Sequence, residues 1–310
     1  MSESRPAAPT EHGDSQGGSL YFDLWGCRGS RSLIPGRSRI ANFTSCYSVL
    51  RGDTLLVVDA GRGLARLGYE VMTQPRFAAV RRVLLLISHA HVDHWEGLKD
   101  ADWFWQRGNG AALTVCGPEE ALQSIRNGYA PPSYVPLEIL SIGTAGSIDY
   151  APFCAGDDRE FAGFRIRAYG LHHYSGMGDG KRMLQALGFR IRCAGVGDAT
   201  VCYLSDHEPT EATQDLEREM TAGAHLVVYD ANYLEIKDHM FGHGSIEYTA
   251  GVARSLPDAL VLAAHHGSTL LDDKIESAFV TYGAGAANFE LAVEGASYRW
   301  DPAARRFSRT

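Results

Sequence analysis

Five short apolar runs in this sequence each end at an aspartate or a histidine. The residues that end them are, in chain order, Asp59, His89, Asp206, Asp230 and the pair His265–His266. Runs of this length and composition predict buried β-strands. Because a buried polar or charged group is costly without a partner, we expect these side chains to meet at one sheet edge and share a ligand. A mixed set of histidines and aspartates favours a metal ion as that ligand.

The order of strand-like and helix-like segments indicates one layered α/β domain over residues 20–310. The chain has 310 residues and is 45% hydrophobic, enough to bury a substantial core. Residues 1–19 are rich in Ser, Pro, Gly and Glu and are expected to form a disordered tail. That tail has no hydrophobic stretch of a secretory signal, and no later run approaches the ~20 apolar residues of a membrane span.

Charge and cysteine usage narrow the partners and the compartment. The formal net charge is -8, which disfavours a long polyanion as the main partner, although a local basic patch could override it. The six cysteines are scattered singly, without a C-x-x-C pair. This usage is typical of reduced thiols in a cytoplasmic protein and argues against a metal–thiolate site.

The densest group of candidate ligands is HAHVDH, which follows the apolar run ending at Ser88. In an extended segment alternate residues point the same way, so His89, His91 and Asp93 can converge. His94 comes one residue later, where the chain bends, and points elsewhere. One short loop can therefore supply ligands to two neighbouring metal ions.

HAHVDH resembles the HxHxDH motif of the metallo-β-lactamase fold superfamily. Other pieces of that pattern occur in the expected order: Asp59 in VVDAG, His172 or His173 in LHHYSG, Asp206 in YLSDHE, and His265 or His266 in LAAHHGS. The resemblance covers nearly all of the chain after residue 20. It implies an αββα sandwich with two metal ions at one edge.

The resemblance also implies a role for each of these residues. One metal ion would be held by His89, His91 and His173, the other by Asp93, His94 and His265, and Asp206 would bridge them. His172 and His266, the unchosen members of the two doublets, would then support the ligands or line the pocket. Asp59 and Asp230 would orient histidine ligands through their free N–H groups. Zinc fits this set, and manganese or iron would also fit.

Sequence details favour one branch of the superfamily. No cysteine accompanies the bridging Asp206, unlike in class B β-lactamases, and His91 stands where flavodiiron oxidoreductases carry a glutamate. GCRGS, NFTSC, DAGRGL and GHGS resemble ribonuclease Z and its smaller phosphodiesterase relatives. In that branch the histidine of GHGS, here His243, would assist at the scissile phosphate, although this motif has one extra glycine.

Basic residues near the expected site are candidate phosphate contacts. Arg28 and Arg31 lie in an arginine-rich loop near the N-terminus, and Lys181 and Arg182 lie in YSGMGDGKRMLQA, an insertion after the third histidine. The insertion is interpreted as a mobile loop or lid, and an ordinary solvated loop remains an alternative for both segments. The long arm by which ribonuclease Z grips tRNA has no counterpart.

These observations predict a dinuclear metal-dependent hydrolase, most simply a phosphodiesterase acting on a small or nucleotide-type phosphodiester. Asp93 would orient a water whose pKa the metals lower, and His243 would protonate the leaving oxygen. Alternatives are a ribonuclease Z-type nuclease, a carbon-ester hydrolase such as a lactonase or thioesterase, and a non-catalytic metal-binding sensor. By resemblance alone, a homodimer is expected.

Overall fold

Two β-sheets with helices on their outer faces carry the part of the chain that the structure describes. A computed structural model describes residues 19–106, 110–141, 148–176, 178–237 and 241–310. All but one residue of the expected N-terminal tail, residues 1–19, therefore lie outside the described residues. Within those described ranges, no helix combines the length and the hydropathy required to cross a bilayer.

In the described residues, seventeen strands form the two sheets and one small hairpin. They are β1 Leu20–Gly26, β2 Cys46–Arg51, β3 Thr54–Val58, β4 Arg82–Leu86, β5 Ala112–Gly117, β6 Ile148–Pro152, β7 Asp158–Phe161, β8 Phe164–Gly170, β9 Tyr174–Ser175, β10 Arg182–Met183, β11 Leu187–Cys193, β12 Ala199–Leu204, β13 Leu226–Asp230, β14 Leu260–Ala264, β15 Phe289–Leu291, β16 Ser297–Asp301 and β17 Arg306–Arg309. The first sheet has the order β17-β16-β1-β2-β3-β4-β5-β6 and the second β15-β14-β13-β12-β11-β8-β7, while β9 and β10 pair with each other.

Seven α-helices accompany these strands in the described ranges. They are α1 Gly63–Thr73, α2 Asp102–Trp105, α3 Glu119–Gly128, α4 Leu137–Ser141, α5 Gln214–Thr221, α6 Ile246–Ser255 and α7 Asp272–Tyr282. Helices α1 to α4 share one hydrophobic core with the outer face of the first sheet. Residues of α6 and α7 belong instead to the core that includes the second sheet.

The alternation of side chains along the strands explains why two cores form. In β3, Leu56 and Val58 lie in the core between the sheets, whereas Leu55 and Val57 lie in the core beneath the helices. Successive residues of a strand point to opposite faces. A strand that is apolar on both faces can therefore lie only in the middle layers, with helices outside.

Parallel pairing brings the predicted strand ends to common edges. β3 to β6 are parallel within the first sheet, and β12 to β15 are parallel within the second. Asp59 directly follows β3, Asp230 is the last residue of β13, and His265 directly follows β14. Their side chains are thus delivered from the carboxyl ends of the strands, as the sequence predicts.

The αββα sandwich expected from the sequence is confirmed. Helix α5 ends at Thr221, and Gly223 adopts φ +64° just after it, as a glycine following a helix does. Ser245 caps α6 by accepting a hydrogen bond from the backbone N–H of Tyr248 at 3.1 Å.

Candidate metal centre

Three overlapping groups of side chains in the described residues have geometry suited to a metal ion. The ligand atoms of each group lie within 4.8 Å of one another. The first group is His89, His91, His173 and Asp206, the second is Asp93, His94 and His265, and the third is Asp206, His243 and His265. The first two groups consist of residues predicted from the sequence, and the members of the two doublets that they contain are His173 and His265.

Asp206 faces both of the predicted groups, with a different oxygen towards each. Its Oδ2 lies 3.8 Å from Nε2 of His89 and 3.6 Å from Nε2 of His173. Its Oδ1 lies 3.4 Å from Nε2 of His94 and 3.0 Å from Nδ1 of His265. The carboxylate is buried, and it stands where a single residue can bridge two ions.

The buried polar atoms at this place fit metal ligation. Nε2 of His89, Nε2 of His94 and Oδ2 of Asp93 are buried and have no hydrogen-bond partner among the described residues. An unsatisfied buried polar atom costs about 1–3 kcal/mol, so three such atoms without a ligand would destabilise the fold considerably. Divalent cations bound by the converging imidazole nitrogens and carboxylate oxygens would remove that cost.

Hydrogen bonds fix which nitrogen of the histidines faces the cluster. Nδ1 of His94 donates to Oδ2 of Asp59 at 2.7 Å, and Nδ1 of His173 donates to the carbonyl of Gly242 at 2.7 Å. A carboxylate and a carbonyl can only accept, so Nδ1 carries the proton in both rings. Nε2 is then left with its lone pair directed at the cluster.

Asp59 is the centre of a buried network that supports two of the histidines. Besides His94, its Oδ2 accepts hydrogen bonds from the hydroxyls of Ser88 at 2.9 Å and Tyr203 at 2.6 Å. The Ser88 hydroxyl also lies 3.0 Å from Nδ1 of His89. Asp59 therefore acts on one histidine directly and on a second through Ser88, the role expected of it from the sequence.

Asp230 supports His243 rather than one of the seven predicted ligands. Its Oδ2 accepts a hydrogen bond from Nδ1 of His243 at 2.8 Å and another from the backbone N–H of His207 at 3.0 Å. The His243 ring stacks on that of His265, with centroids 5.1 Å apart. Burial alone would lower the pKa of His243, but the charge of Asp230, with that of Asp206 and Asp93, raises it to about 9.

Burial and neighbouring charges also shift the pKa values of other residues in the cluster. Burial, with the nearby His94 and His173, holds the pKa of His89 well below its usual range, and burial lowers that of His173 to about 4. Both rings are therefore neutral at neutral pH, as a metal ligand must be. The pKa of Asp206 lies well below its usual range because His265 and His94 outweigh the effect of burial.

Asp59, which supports the cluster, and His265, which belongs to it, adopt a backbone conformation that is rare outside glycine. Asp59 has φ +60° and His265 has φ +57°, both in the left-handed region. Such conformations cost of order 1 kcal/mol or more and concentrate at functional sites. Gly29 lies against one of them, since a Cβ there would stand 2.7 Å from Nε2 of His265.

A family model described as a Beta-lactamase superfamily domain matches residues 54–266, more than half of the chain. The chain belongs to this superfamily. Its members are mostly metal-dependent hydrolases, and the matched range contains every residue of the three clusters. No curated protein sequence matches the chain.

Solved structures with the same fold are similar to almost the whole chain. The metallo-β-lactamase fold protein YhfI from Bacillus subtilis is 19% identical, with a TM-score of 0.63, over 91% of this chain and 99% of its own. Unliganded yeast PDE1 is 13% identical, with a TM-score of 0.63, over 90% and 99%. A diphosphatase from the PhnP family is 14% identical, with a TM-score of 0.64, over 91% and 98%. These identities show a common fold.

One histidine of each doublet, His172 and His266, lies outside the three ligand groups. The His266 ring is buried with Nε2 3.2 Å from the carbonyl of Ala292, and burial lowers its pKa to about 4. The His172 ring lies 5.9 Å from that of Tyr174, and its backbone N–H donates to Nδ1 of His207 at 3.2 Å. The His266 ring packs in the protein interior, and His172 holds His207 through a hydrogen bond from its main chain.

The structure corrects the expectation that Arg28 contacts substrate. Its side chain is fully buried, and its guanidinium donates to the carbonyls of Ala41, Gly267 and Leu270 at 3.0–3.2 Å. These bonds hold the N-terminal loop against the segment that follows His265. Arg28 is thus a structural residue, because its side chain is buried and its Nε and Nη1 groups donate to main-chain oxygens.

The other three basic residues singled out in the sequence are exposed. Arg31 donates to the Ser268 hydroxyl at 3.3 Å, and the ammonium of Lys181 lies 3.4 Å from the centroid of the Tyr174 ring. Arg182 pairs with Glu120 of α3 at 2.5 Å. The described part of the insertion therefore contains a short hairpin, β9–β10, attached to α3. Residue 177 of the insertion lies outside the described residues.

Sequence reasoning missed the residues that support the ligands from a distance. Glu208 accepts a hydrogen bond from the backbone N–H of Gly242 at 2.8 Å, and its own N–H donates to the carbonyl of His172 at 2.9 Å. It thereby ties the segment carrying His173 to the segment carrying His243. The position of Glu208, two residues after Asp206, was the only signal available for it.

Proposed function

We propose that this protein is a dinuclear metal-dependent hydrolase that cleaves a small or nucleotide-type phosphodiester. The observation that carries the proposal is the pair of ligand groups that Asp206 faces, with three buried ligand atoms that have no protein partner among the described residues. Metal sites of this kind, with two ions a few ångströms apart, suit displacement at phosphorus because they can hold both the attacking and the leaving oxygen.

The residues that would hold the ions are those of the first two groups. His89, His91 and His173 would hold one, Asp93, His94 and His265 the other, and Asp206 both. When bound, the ions supply Lewis acidity and lower the pKa of a coordinated water towards neutrality. Zinc is our first choice because borderline ions suit nitrogen-rich sets, and manganese or iron would also be accepted.

The chain's own groups would handle the protons. Oδ2 of Asp93 has no protein partner and can orient the attacking water. His243, held through Nδ1 by Asp230, has Nε2 available to donate a proton to the leaving oxygen. Its raised pKa keeps it protonated near pH 7, which is the state that a general acid needs.

The choice of phosphorus over carbon rests on weaker support than the metal centre. One solved structure of the same fold is a diphosphatase, and the GHGS segment resembles that of ribonuclease Z and its small relatives. The exposed cations Arg31, Lys181 and Arg182 could bind a charged substrate. The net charge of -8 favours a small substrate over a long nucleic acid.

A substrate panel tests this proposal. Metal-loaded protein would be assayed against cyclic and linear dinucleotides, a structured tRNA precursor, an N-acyl lactone and a thioester. We expect turnover of the small phosphodiesters. Turnover of the lactone or thioester alone would mean that the enzyme is a carbon-ester hydrolase and not a phosphodiesterase. Selective cleavage of the tRNA precursor would favour a ribonuclease Z-type nuclease. Binding of metal with no turnover of any compound would favour a sensor.

Location and assembly complete the proposal. All six cysteines are free thiols, and five of them are buried, which supports a reducing compartment and hence the cytoplasm. A homodimer is proposed on the resemblance to the branch alone. Analytical ultracentrifugation would test it, with a single species at the 33.8 kDa monomer mass as the contrary result.

A further inference from the structure

A cavity of about 670 Å³ opens at the sheet edge opposite the metal cluster. Its wall includes His225, Ala259 and Asn288, which directly precede β13, β14 and β15. The same β13 and β14 deliver Asp230 and His265 at their other ends. A neighbouring depression of about 560 Å³ shares His225 and Arg306 with this cavity.

Four arginines surround the two depressions, although the chain as a whole is acidic. Arg254, Arg306 and Arg309 line the larger one, and Arg305 and Arg306 line the smaller. None of the four forms an ion pair within 4.0 Å of a carboxylate among the described residues. Arg254 donates instead to a backbone carbonyl at 2.9 Å.

Two carboxylates also lie in these walls, but they do not neutralise the arginines. Glu290 accepts a hydrogen bond from the hydroxyl of Tyr298 at 2.8 Å, which occupies one of its oxygens. Asp258 makes no ion pair within 4.0 Å with any residue that the structure describes. The lining itself thus carries four guanidinium groups and two carboxylates, while Asp198 and Asp301 attract Arg305 and Arg306 from outside it.

His225 adds a polar contact that no protein group satisfies. Its Nδ1 accepts the backbone N–H of Thr200 at 3.1 Å, so in the neutral ring the proton resides on Nε2. That Nε2 lies 3.2 Å from a guanidinium nitrogen of Arg305, which can only donate. Two donors therefore face each other without an acceptor between them.

We infer that this arginine-lined depression binds a small phosphate-bearing anion. Two N–H groups 3.2 Å apart can both donate to one anionic oxygen, which resolves the contact between His225 and Arg305. The fork of Arg306 or Arg309 then matches the remaining phosphate oxygens, and charge-assisted bonds of this kind are about twice as strong as neutral ones. The volume lies within the range of small-molecule sites, about 300–1,000 Å³.

Calorimetric titration of the metal-loaded protein with inorganic phosphate and with adenosine monophosphate tests this inference. The variants are the double change Arg305→Gln with Arg306→Gln, the single change Arg309→Gln and, as a control, Arg81→Gln at an exposed arginine on the other sheet. We expect the double variant to weaken binding at one site by about tenfold or more, and Arg309→Gln to weaken it less. Metal content and phosphodiester turnover should not change, and Arg81→Gln should bind as the wild type does.

The outcomes also separate this site from the metal centre and identify the ligand. Equal affinity for the two compounds means that the site recognises the phosphate group alone, whereas tighter adenosine monophosphate binding means that it recognises a nucleotide. The inference is wrong if the double variant binds both compounds as the wild type does, or if all phosphate binding disappears in Asp206→Ala. It is also wrong if a single-stranded RNA binds here while neither small compound does. A failure of phosphodiesterase activity would leave the inference unaffected.

Discussion

Nδ1 of His243 lies 2.8 Å from Oδ2 of Asp230, a carboxylate that also accepts the backbone N–H of His207. The pair fixes the ring, directs Nε2 away from Asp230, and keeps the ring beside those of His173 and His265. His243 also shares a ligand-competent group with Asp206 and His265. The geometry thus admits either a proton donor or a metal ligand at this position.

Changing the leaving group decides between those two roles. We predict that His243→Ala lowers kcat for an alkyl phosphodiester by about 10²-fold or more, because an alkoxide needs a proton to depart. Turnover of bis(p-nitrophenyl) phosphate should fall much less, since p-nitrophenolate leaves without one. Metal content, measured by plasma mass spectrometry, should remain that of the wild type.

His172→Ala is the matched control, because this neighbouring imidazole lies outside the three ligand groups. It should preserve both activities. Loss of an equivalent of metal in His243→Ala would show that this histidine is a ligand and that the proton-donor role is wrong.

The Asp59 network predicts a graded loss of metal affinity. Asp59→Asn should weaken metal binding by about 10- to 100-fold, because the acceptor for His94 Nδ1 is lost. Tyr203→Phe removes one of the bonds to the same carboxylate, so it should have a smaller effect and cost about 1 kcal/mol of unfolding free energy. Competition with a chelator and urea denaturation measure the two quantities.

Tyr47→Phe controls for the loss of a buried hydroxyl in the same region. The Tyr47 ring lies 5.3 Å from that of Tyr203, but its hydroxyl makes no hydrogen bond to Asp59. If Tyr47→Phe and Tyr203→Phe weakened metal binding equally, the network would not be the cause.

The β9–β10 hairpin offers a test of Arg182 as a substrate contact. Arg182→Ala should raise KM if the guanidinium binds substrate, whereas Glu120→Gln should leave KM unchanged or lower it by releasing that guanidinium. Stability should change by at most about 1 kcal/mol in both, because the pair is exposed. Parallel changes in KM for the two variants would mean that the pair only attaches the hairpin to α3.

Glu217 on α5 predicts a pH-dependent contribution to stability. Burial would raise its pKa, but hydrogen bonds from His207, Tyr229 and Thr213 lower it below the ordinary 4.5. A carboxyl with a lowered folded-state pKa stabilises the protein above its unfolded-state pKa, and that contribution is lost as pH falls through the folded-state value.

Glu217→Gln should therefore reduce the free energy of unfolding at pH 7 by about 1–3 kcal/mol. The difference from the wild type should shrink as pH falls below about 4.5. Urea denaturation at several pH values measures it. A difference that stayed constant from pH 7 to pH 3.5 would contradict the assignment of the pKa shift to these hydrogen bonds.

The ligand positions were predictable because they depend on local patterns. HAHVDH is short, and Asp59, Asp206 and His265 follow apolar runs whose strand character is evident from composition. Parallel pairing then brings those ends together without any further information. The sequence comparison already assigned His265 rather than His266, and in the structure His265 lies in the ligand groups.

The supporting residues could not be predicted because their partners are distant in sequence. Tyr203 reaches Asp59 across 144 positions, and Arg28 reaches Gly267 across 239. In the sequence, Arg28 was one arginine of a basic loop, and only the fold buries it beneath main-chain carbonyls. Helix α7 is hard to recognise from the sequence because its buried residues, Ile275 and Ala278, form only a narrow apolar stripe.

The most direct test of the two-metal centre is hydrolysis of bis(p-nitrophenyl) phosphate by metal-loaded protein, with Asp206→Ala assayed beside it and metal content measured for both. We predict about two ions per wild-type chain and measurable turnover. In Asp206→Ala, both the second ion and the turnover should be lost, because this carboxylate faces both ligand groups. Retention of full metal content and turnover in Asp206→Ala, or a metal-loaded wild type without turnover of any phosphodiester, would contradict the account.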